Sequence, residues 1–141
     1  MKNSGLFKGL VILFVVISVI SGVLFIHNKN TKKKAVGAAI VAVESVFSAR
    51  AEYSEGTNRI IVEKYIKGEE SLFYLTKEAL PKLSIIGDYD VIELLSVRAY
   101  YGETKDNPQY YDIKFKDIKR LNWDEINNFD DFLTYLNVRL D

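Results

Sequence analysis

The sequence lacks cysteine and is poor in histidine and proline, with one and two of these residues among 141. Without cysteine there can be no disulfide, thiolate metal site or cysteine nucleophile, so we expect no disulfide-linked partner. The sequence also has no glycine-rich phosphate loop, Gly-x-Ser-x-Gly elbow or zinc-protease helix. These absences predict a protein with no cofactor, no metal ion and no recognisable catalytic residue.

Acidic residues are missing from the first 34 positions, which contain six lysines. The whole chain has 19 basic and 19 acidic residues, so residues 35–141 carry 13 basic and 19 acidic side chains. Affinity for nucleic acid comes mainly from lysine and arginine that displace counterions from phosphates. The acidic main domain therefore predicts that nucleic acid is not a partner.

Residues 9–26 form an uncharged run, GLVILFVVISVISGVLFI, that follows a short basic tail at residues 1–8. As a helix this run would be about 27 Å long, close to the roughly 30 Å of bilayer hydrocarbon. A cleavable signal peptide has a shorter apolar core and small residues at its cleavage site, whereas Phe25 and Ile26 are bulky. The run predicts a retained, single-pass transmembrane helix.

The basic linker at residues 27–34 is predicted to contact lipid headgroups through its four lysines. These residues are Lys29, Lys32, Lys33 and Lys34. The count of basic residues on the two flanks slightly favours a cytoplasmic C-terminal domain. The short charged tail resists translocation, however, and the absence of cysteine suits an oxidising compartment. We predict an extracytoplasmic domain, with the cytoplasmic orientation as the alternative.

Two small residues in the span, Ser18 and Gly22, are four positions apart. This spacing lets two membrane helices approach closely, so these residues are predicted to form a helix–helix contact. Other membrane or envelope proteins are therefore expected partners besides the membrane lipid.

The soluble domain at residues 35–141 begins with a predicted amphipathic helix. Val36, Ile40, Val43 and Phe47 recur at steps of three and four, which is the spacing of one helix face. We interpret this stripe as the side that faces the core. The alternative is that the uncharged, small-residue segment 35–43 is an assembly surface or continues the anchor helix.

Two pairs of β-prone segments follow. Residues 59–66 and 71–75 are predicted to form a hairpin that turns at Gly68, with helix as the alternative because glutamate is frequent there. Residues 91–101 and 110–118 are predicted to form a second hairpin with one buried face. The predicted pairs on that face are Tyr101–Tyr111, Ala99–Ile113, Val97–Phe115 and Leu95–Asp117.

Four tyrosines cluster at one end of the second predicted hairpin: Tyr100, Tyr101, Tyr110 and Tyr111. Aromatic residues are enriched in protein interfaces, so these residues are candidates for contact with a partner. Asn122 and Asp130 are predicted to start two helical segments near the C-terminus. The fold class is therefore a single N-terminal transmembrane helix followed by a small α+β domain, with an amphipathic helix, an antiparallel sheet of two hairpins and a C-terminal helix.

These features predict a membrane-anchored, non-catalytic structural or interaction subunit of a cell-envelope assembly. One alternative is a pilin-like subunit, because Lys8, Gly9 and Leu10 resemble the processing site of type IV pilins and pseudopilins. The chain departs from that pattern at Phe14, where pilins have glutamate, and in the lysines at 32–34, which would interrupt a long helix. A third hypothesis is an enzyme with a carboxylate or tyrosine site that only the fold would reveal.

Overall fold

The computed structural model describes residues 4–66, 71–86, 91–102 and 108–139. Residues 1–34 and 35–141 form separate units. Residues 4–34 of the first unit belong to one long helix, α1, which spans Ser4–Phe47. Every described side chain from Leu10 to Lys34 is exposed. The helix is continuous through the lysines at 32–34, so the expectation that they would interrupt it is wrong. Lysine has a high helix propensity and no proline lies nearby.

The second unit combines helices with a four-stranded sheet in the order β1-β2-β3-β4. The strands are β1 (Ala51–Ser54), β2 (Arg59–Ile66), β3 (Leu94–Tyr101) and β4 (Gln109–Lys114). The helices after α1 are α2 (Leu72–Ile86) and α3 (Phe129–Arg139). Short 3-10 segments occupy Glu55–Thr57, Phe115–Arg120 and Trp123–Glu125. The α+β class is therefore confirmed.

The predicted antiparallel sheet of two hairpins is wrong in one half, because the sheet is mixed. β2 runs parallel to β3, whereas β1 pairs with β2 and β3 with β4 in antiparallel fashion. Residues 72–86 form α2, which connects the two parallel strands. A parallel pair needs such a crossover, since a tight turn cannot join its strands. The predicted turn at Gly68 lies outside the described residues.

Helical spacing explains why residues 71–75 do not form a strand. The buried residues of α2 recur at intervals of three and four over the whole segment, a period that the short run alone does not show. They are Leu72, Phe73, Thr76, Ala79, Leu80 and Leu83. Ser71 starts the helix, with its Oγ accepting a hydrogen bond from the Tyr74 N–H at 3.3 Å.

The predicted hairpin of β3 and β4 exists, but its register differs from the prediction. Val97 lies opposite Tyr111, and Leu95 lies opposite Ile113, each four residues from the predicted partner. A shift by an even number keeps every side chain on its predicted face, so the buried face is retained. β4 ends at Lys114 because residues 115–120 turn into a 3-10 helix that buries Phe115 and Ile118.

The core lies between one face of the sheet and the helices of the second unit. Ile60, Val62, Leu95, Val97 and Ile113 are buried on this face. The predicted stripe of α1 contributes Val36, Val43 and Phe47, which are buried, and Ile40, which is partly buried. The prediction of a core-facing stripe is thus confirmed, and the segment also continues α1.

The start of α3 differs from the prediction in its cap. Asn128, and not Asp130, caps the helix, with its Oδ1 accepting from the Asp131 N–H at 2.9 Å. The Asp131 carboxylate in turn accepts from the Asn127 N–H at 3.2 Å. This arrangement differs from a capping box, because Asp131 accepts from the N–H of the residue before the cap and not from that of the cap itself. Asn122 does cap the 3-10 turn at Trp123–Glu125, since its side chain accepts from the Asp124 N–H.

The Glu44 side chain forms a hydrogen bond with the backbone of the outer strand β1. Its Oε1 accepts a hydrogen bond from the Ala51 N–H at 3.0 Å, so the end of α1 satisfies the first amide of the strand. Replacing Glu44 with alanine should lower the free energy of unfolding by about 1–3 kcal/mol, because a partly buried N–H loses a charged acceptor. Urea denaturation followed by the fluorescence of Trp123 would measure this loss. Glu44→Gln retains an acceptor oxygen and should cost less; an equal loss for both variants would contradict the hydrogen-bond explanation.

Tyr111 has its hydroxyl in the core, where Thr76 Oγ1 donates a hydrogen bond to it at 3.0 Å. Burial raises the pKa of the Tyr111 hydroxyl well above its usual range. The unfolded chain releases this proton near pH 10, whereas the folded chain retains it. The stability contribution of this group is therefore present below pH 10 and is lost progressively as the pH rises above it.

We expect Tyr111→Phe to remove much of the alkaline loss of stability, because phenylalanine cannot ionise. Stability curves of both proteins between pH 8 and about 11 would check this expectation. The exposed residue Tyr110 provides the control, since Tyr110→Phe should leave the slope above pH 10 unchanged. Parallel curves for wild type and Tyr111→Phe would contradict the assignment.

Candidate functional site

The open face of the sheet, opposite the core, holds two networks of polar side chains. Strands alternate their side chains, so Arg59, Glu63, Arg98 and Asp112 lie on this face while their neighbours face the core. The parallel pairing of β2 and β3 brings together residues that are distant in sequence. We define the open face as the outward side chains of β1 to β4.

One hydrogen-bond network crosses three strands of the open face. Arg59 Nη1 donates to Ser96 Oγ at 3.1 Å and to Asp112 Oδ2 at 3.3 Å. Ser96 Oγ donates to the other carboxylate oxygen of Asp112. Ser96 is buried beneath this ion pair, which makes its hydroxyl unsuitable as an accessible nucleophile. The network fixes side chains of β2, β3 and β4 relative to one another.

A second network surrounds Glu63. Its Oε1 accepts a hydrogen bond from Tyr100 Oη at 3.0 Å and lies 3.7 Å from Arg98 Nη1. The rings of Tyr100 and Tyr65 are 5.5 Å apart between centroids, a distance typical of favourable aromatic pairs. These contacts hold an arginine, a glutamate and two tyrosines in fixed positions.

A groove of about 490 Å³ opens beside this second network. It is lined by Arg50, Glu52, Ile61, Glu63, Tyr65 and Arg98. Tyr65 is 44% exposed and supplies an apolar ring at the surface. Arginine and tyrosine are the residues most often found to dominate binding energy in protein interfaces. The groove therefore suits hydrogen bonding and ring contact with a polar partner.

The structure separates the four predicted tyrosines onto two faces. Tyr100 and Tyr110 lie on the open face, whereas Tyr111 is buried in the core and Tyr101 lies on the same side as Tyr111. A single patch of all four residues does not form, because adjacent residues of a strand point in opposite directions. Tyr101 and Tyr110 are exposed whereas Tyr100 and Tyr111 are buried, and the role of the four tyrosines in partner contact stays a prediction.

The other predicted site residues lie along α1. Ser18 and Gly22 are exposed, and Ser18 Oγ donates to the Phe14 carbonyl at 2.8 Å within the helix. Lys29, Lys32, Lys33 and Lys34 are exposed and follow the apolar run directly. In the part of the chain that the structure describes, one helix is long and apolar enough to cross a membrane, and it is α1. Over the same part, no three histidine, aspartate or glutamate side chains are placed to hold a metal ion.

The predicted buried face of the second hairpin leaves Ser96, Arg98 and Tyr100 on the opposite face, but the sequence did not indicate that Arg59 and Glu63 would join them. The signal was present in β2, where Arg59, Ile61, Glu63 and Tyr65 alternate with Ile60, Val62 and Ile66. This alternation did not show which side chains Arg59 and Glu63 would contact. Those contacts depend on which strand pairs with β2, and therefore on how residues 67–93 connect β2 to β3.

Comparisons of the chain with protein families, curated proteins and solved structures found no match.

Proposed function

We propose that this protein is a single-pass membrane protein whose folded unit is a non-catalytic interaction module of a cell-envelope assembly. The observation that carries the proposal is the apolar half of α1, in which every residue from Leu10 to Ile26 is exposed. Soluble proteins rarely expose an apolar surface of this extent, because its contact with water is unfavourable. A bilayer is the environment that satisfies such a helix, since its backbone hydrogen bonds are internal.

The lysines after the span support the same arrangement. From Ile26 to Lys34 the helix rises by about 12 Å, so the four lysines lie within reach of the headgroup region. Clustered lysines beside a span are attracted to anionic lipids. We propose that Lys29, Lys32, Lys33 and Lys34 contact headgroups. Their number slightly favours a cytoplasmic folded unit. Because the short charged tail resists translocation and the absence of cysteine suits an oxidising compartment, we propose that the folded unit lies outside the cytoplasm.

Cysteine labelling tests the anchor and its orientation together, because the natural chain has no cysteine. Lys116→Cys places one thiol at an exposed position of the folded unit, and Lys2→Cys places one before the span. With a membrane-impermeant maleimide, intact cells should label Lys116→Cys, whereas Lys2→Cys should react only after lysis. The reverse pattern would contradict the orientation, and labelling of both in intact cells would contradict a span.

The open face is the surface that we propose for partner binding within the assembly. Tyr65→Ala and Arg50→Glu change the groove at exposed positions and should reduce chemical cross-linking of the protein to neighbours in intact cells. Tyr74→Ala, at an exposed position on α2, is the matched control and should leave the cross-linking pattern unchanged. Equal patterns for all three variants would exclude the groove as the contact surface.

A pilin-like subunit is the second candidate, favoured by the unbroken course of α1 from Ser4 to Phe47 ahead of the sheet. A long helix followed by a sheet is the order of elements in pilins and pseudopilins. Processing would remove residues 1–9, so the mass of the purified protein decides between the candidates. An intact N-terminus would exclude the processed form.

A further inference from the structure

The outer strand β4 directs part of its backbone away from the sheet. The Phe115 N–H donates to the Glu93 carbonyl at 3.0 Å, immediately beyond the β3–β4 ladder. Hydrogen-bonded pairs alternate with non-bonded pairs along an antiparallel ladder. Counting back from Phe115, the pairs of Tyr110 with Arg98 and of Asp112 with Ser96 are non-bonded pairs. The N–H and C=O groups of Tyr110 and Asp112 therefore point outward.

These outward groups have no hydrogen-bond partner among the residues that the structure describes. Gln109, Tyr110 and Asp112 of this strand are exposed, with Tyr110 66% exposed. The other outer strand differs, since the Glu44 carboxylate occupies the first outward amide of β1. An open strand edge is a template for pairing with another strand.

From this edge we infer that two copies of the chain pair through β4 in antiparallel fashion, with Tyr110 opposite Asp112 of the second copy. In a two-fold pair, residues with outward backbone groups must face each other, which leaves few registers. Setting Asp112 opposite Asp112 of the second copy would bring like charges together. Setting Tyr110 opposite Tyr110 would place Asp112 opposite Pro108, which has no N–H to donate, so only the Tyr110–Tyr110 pair could exchange both hydrogen bonds.

The remaining registers differ in the length of their overlap. Pairing Asp112 with Lys114 of the second copy would use only the end of the strand, because the chain enters a 3-10 helix at Phe115. Pairing Tyr110 with Asp112 aligns residues 109–113 of both copies and opposes no like charges. Pro108 then faces Lys114 at the end of the strand, so both Tyr110–Asp112 pairs can exchange their hydrogen bonds. Each Tyr110–Asp112 pair would then exchange two hydrogen bonds, and the two sheets would become continuous.

A hollow at the same edge supports a second copy as the occupant. Its volume is about 110 Å³, and it is lined by residues of both faces of β4, including Asp112 and Ile113, together with Leu136 of α3. In the inferred register, Gln109 of the second copy lies opposite Ile113 and therefore beside this hollow. The second copy would thus supply β4 as the pairing strand and the Gln109 side chain near the hollow.

Disulfide cross-linking of the full chain in detergent tests the register. Tyr110→Cys and Asp112→Cys are purified separately with tags of different size, mixed and oxidised. Directly opposite positions are within disulfide reach, whereas positions two residues out of register are not. We expect the mixed disulfide to exceed either homodimer severalfold. Glu52→Cys mixed with Ser54→Cys has the same spacing on β1 and should show no such preference. The inference would be overturned if the β4 and β1 mixtures gave equal yields of mixed disulfide. A dominant Asp112→Cys homodimer would also overturn it.

Charge at Tyr110 provides a second measurement that leaves the backbone intact. Tyr110→Asp would face Asp112 of the second copy and should weaken the dimer by about fivefold or more, whereas Tyr110→Lys should not weaken it. Sedimentation in detergent gives both dissociation constants. Performing it with Gly22→Leu in all chains removes the predicted helix–helix contact in the span. A monomeric wild-type domain in that background, or equal effects of aspartate and lysine, would overturn pairing through β4.

Discussion

Arginine at both Val16 and Ile20 should abolish stable retention of the protein in the membrane fraction. Both side chains are exposed on α1 near the middle of the apolar run, where the inserted helix would meet hydrocarbon. Each arginine near the centre of a span disfavours insertion by about 2.5–3.5 kcal/mol on the biological insertion scale. The two changes together offset most of the favourable insertion free energy of the apolar residues in the run.

Alkaline carbonate extraction of isolated membranes measures this effect. Wild type should stay in the pellet, whereas Val16→Arg with Ile20→Arg should appear in the supernatant or be degraded. Val16→Leu with Ile20→Leu is the matched control and should remain in the pellet. A carbonate-resistant arginine variant would show that the apolar run does not cross the bilayer.

Phe132→Ala should lower the free energy of unfolding by about 3–5 kcal/mol, the range for removing a buried phenyl ring. Phe132 is fully buried on α3 and contacts the ring of Tyr111 edge to face at 4.9 Å between centroids. It also stacks on Trp123 at 5.8 Å, with the two ring planes 9° apart. A loss of this size is a large fraction of the 5–15 kcal/mol that stabilises a typical domain.

Urea denaturation of the full chain in detergent would measure the loss, with Trp123 as the fluorescent reporter. Trp123 is the one tryptophan of the sequence and lies against Phe132, so its emission follows this part of the core. Tyr74→Ala removes an aromatic ring at an exposed position and should change stability by less than about 0.5 kcal/mol. Similar losses for the two variants would contradict the assignment of Phe132 to the core.

The open-face networks hold partly exposed charged side chains in fixed positions. Asp112 accepts hydrogen bonds from Arg59 and Ser96, whereas Glu63 accepts one from Tyr100 and forms an ion pair with Arg98, so the arginine partners come from β2 and β3. An interface that uses this face meets side chains whose positions are already determined, which lowers the entropy lost on binding. Edge pairing through β4 would leave the groove on the same face accessible, because Arg50 and Glu52 lie by the opposite edge strand β1.

Local patterns were sufficient for part of the fold. The stripe of Val36, Val43 and Phe47 predicts a core-facing helix, and the alternation around Leu95 and Val97 predicts a strand with one buried face. Both follow from the period of the side chains along a single element. Asn122 was predicted as a cap for a similar reason, since the contact involves neighbouring residues.

Features that join distant parts of the chain could not be predicted from the spacing of side chains within one element. The short run at residues 71–75 suits a strand by propensity, but the buried residues of α2 continue to Leu83 and require a helix. That helix makes β2 and β3 parallel, and only this pairing brings Arg59 beside Ser96 and Asp112. The register of β3 and β4 depended on where the chain leaves the ladder at Phe115.

The sequence by itself determined the apolar run, the charge division after Lys34 and the side chains that each helix or strand presents to the core. These properties depend on residue type and on spacing within one element. Only the tertiary structure decided the mixed topology, the register of β4 and the open-face networks around Asp112 and Glu63. The reason is that these features join residues far apart in the chain, and their pairing depends on which crossover buries the most apolar surface.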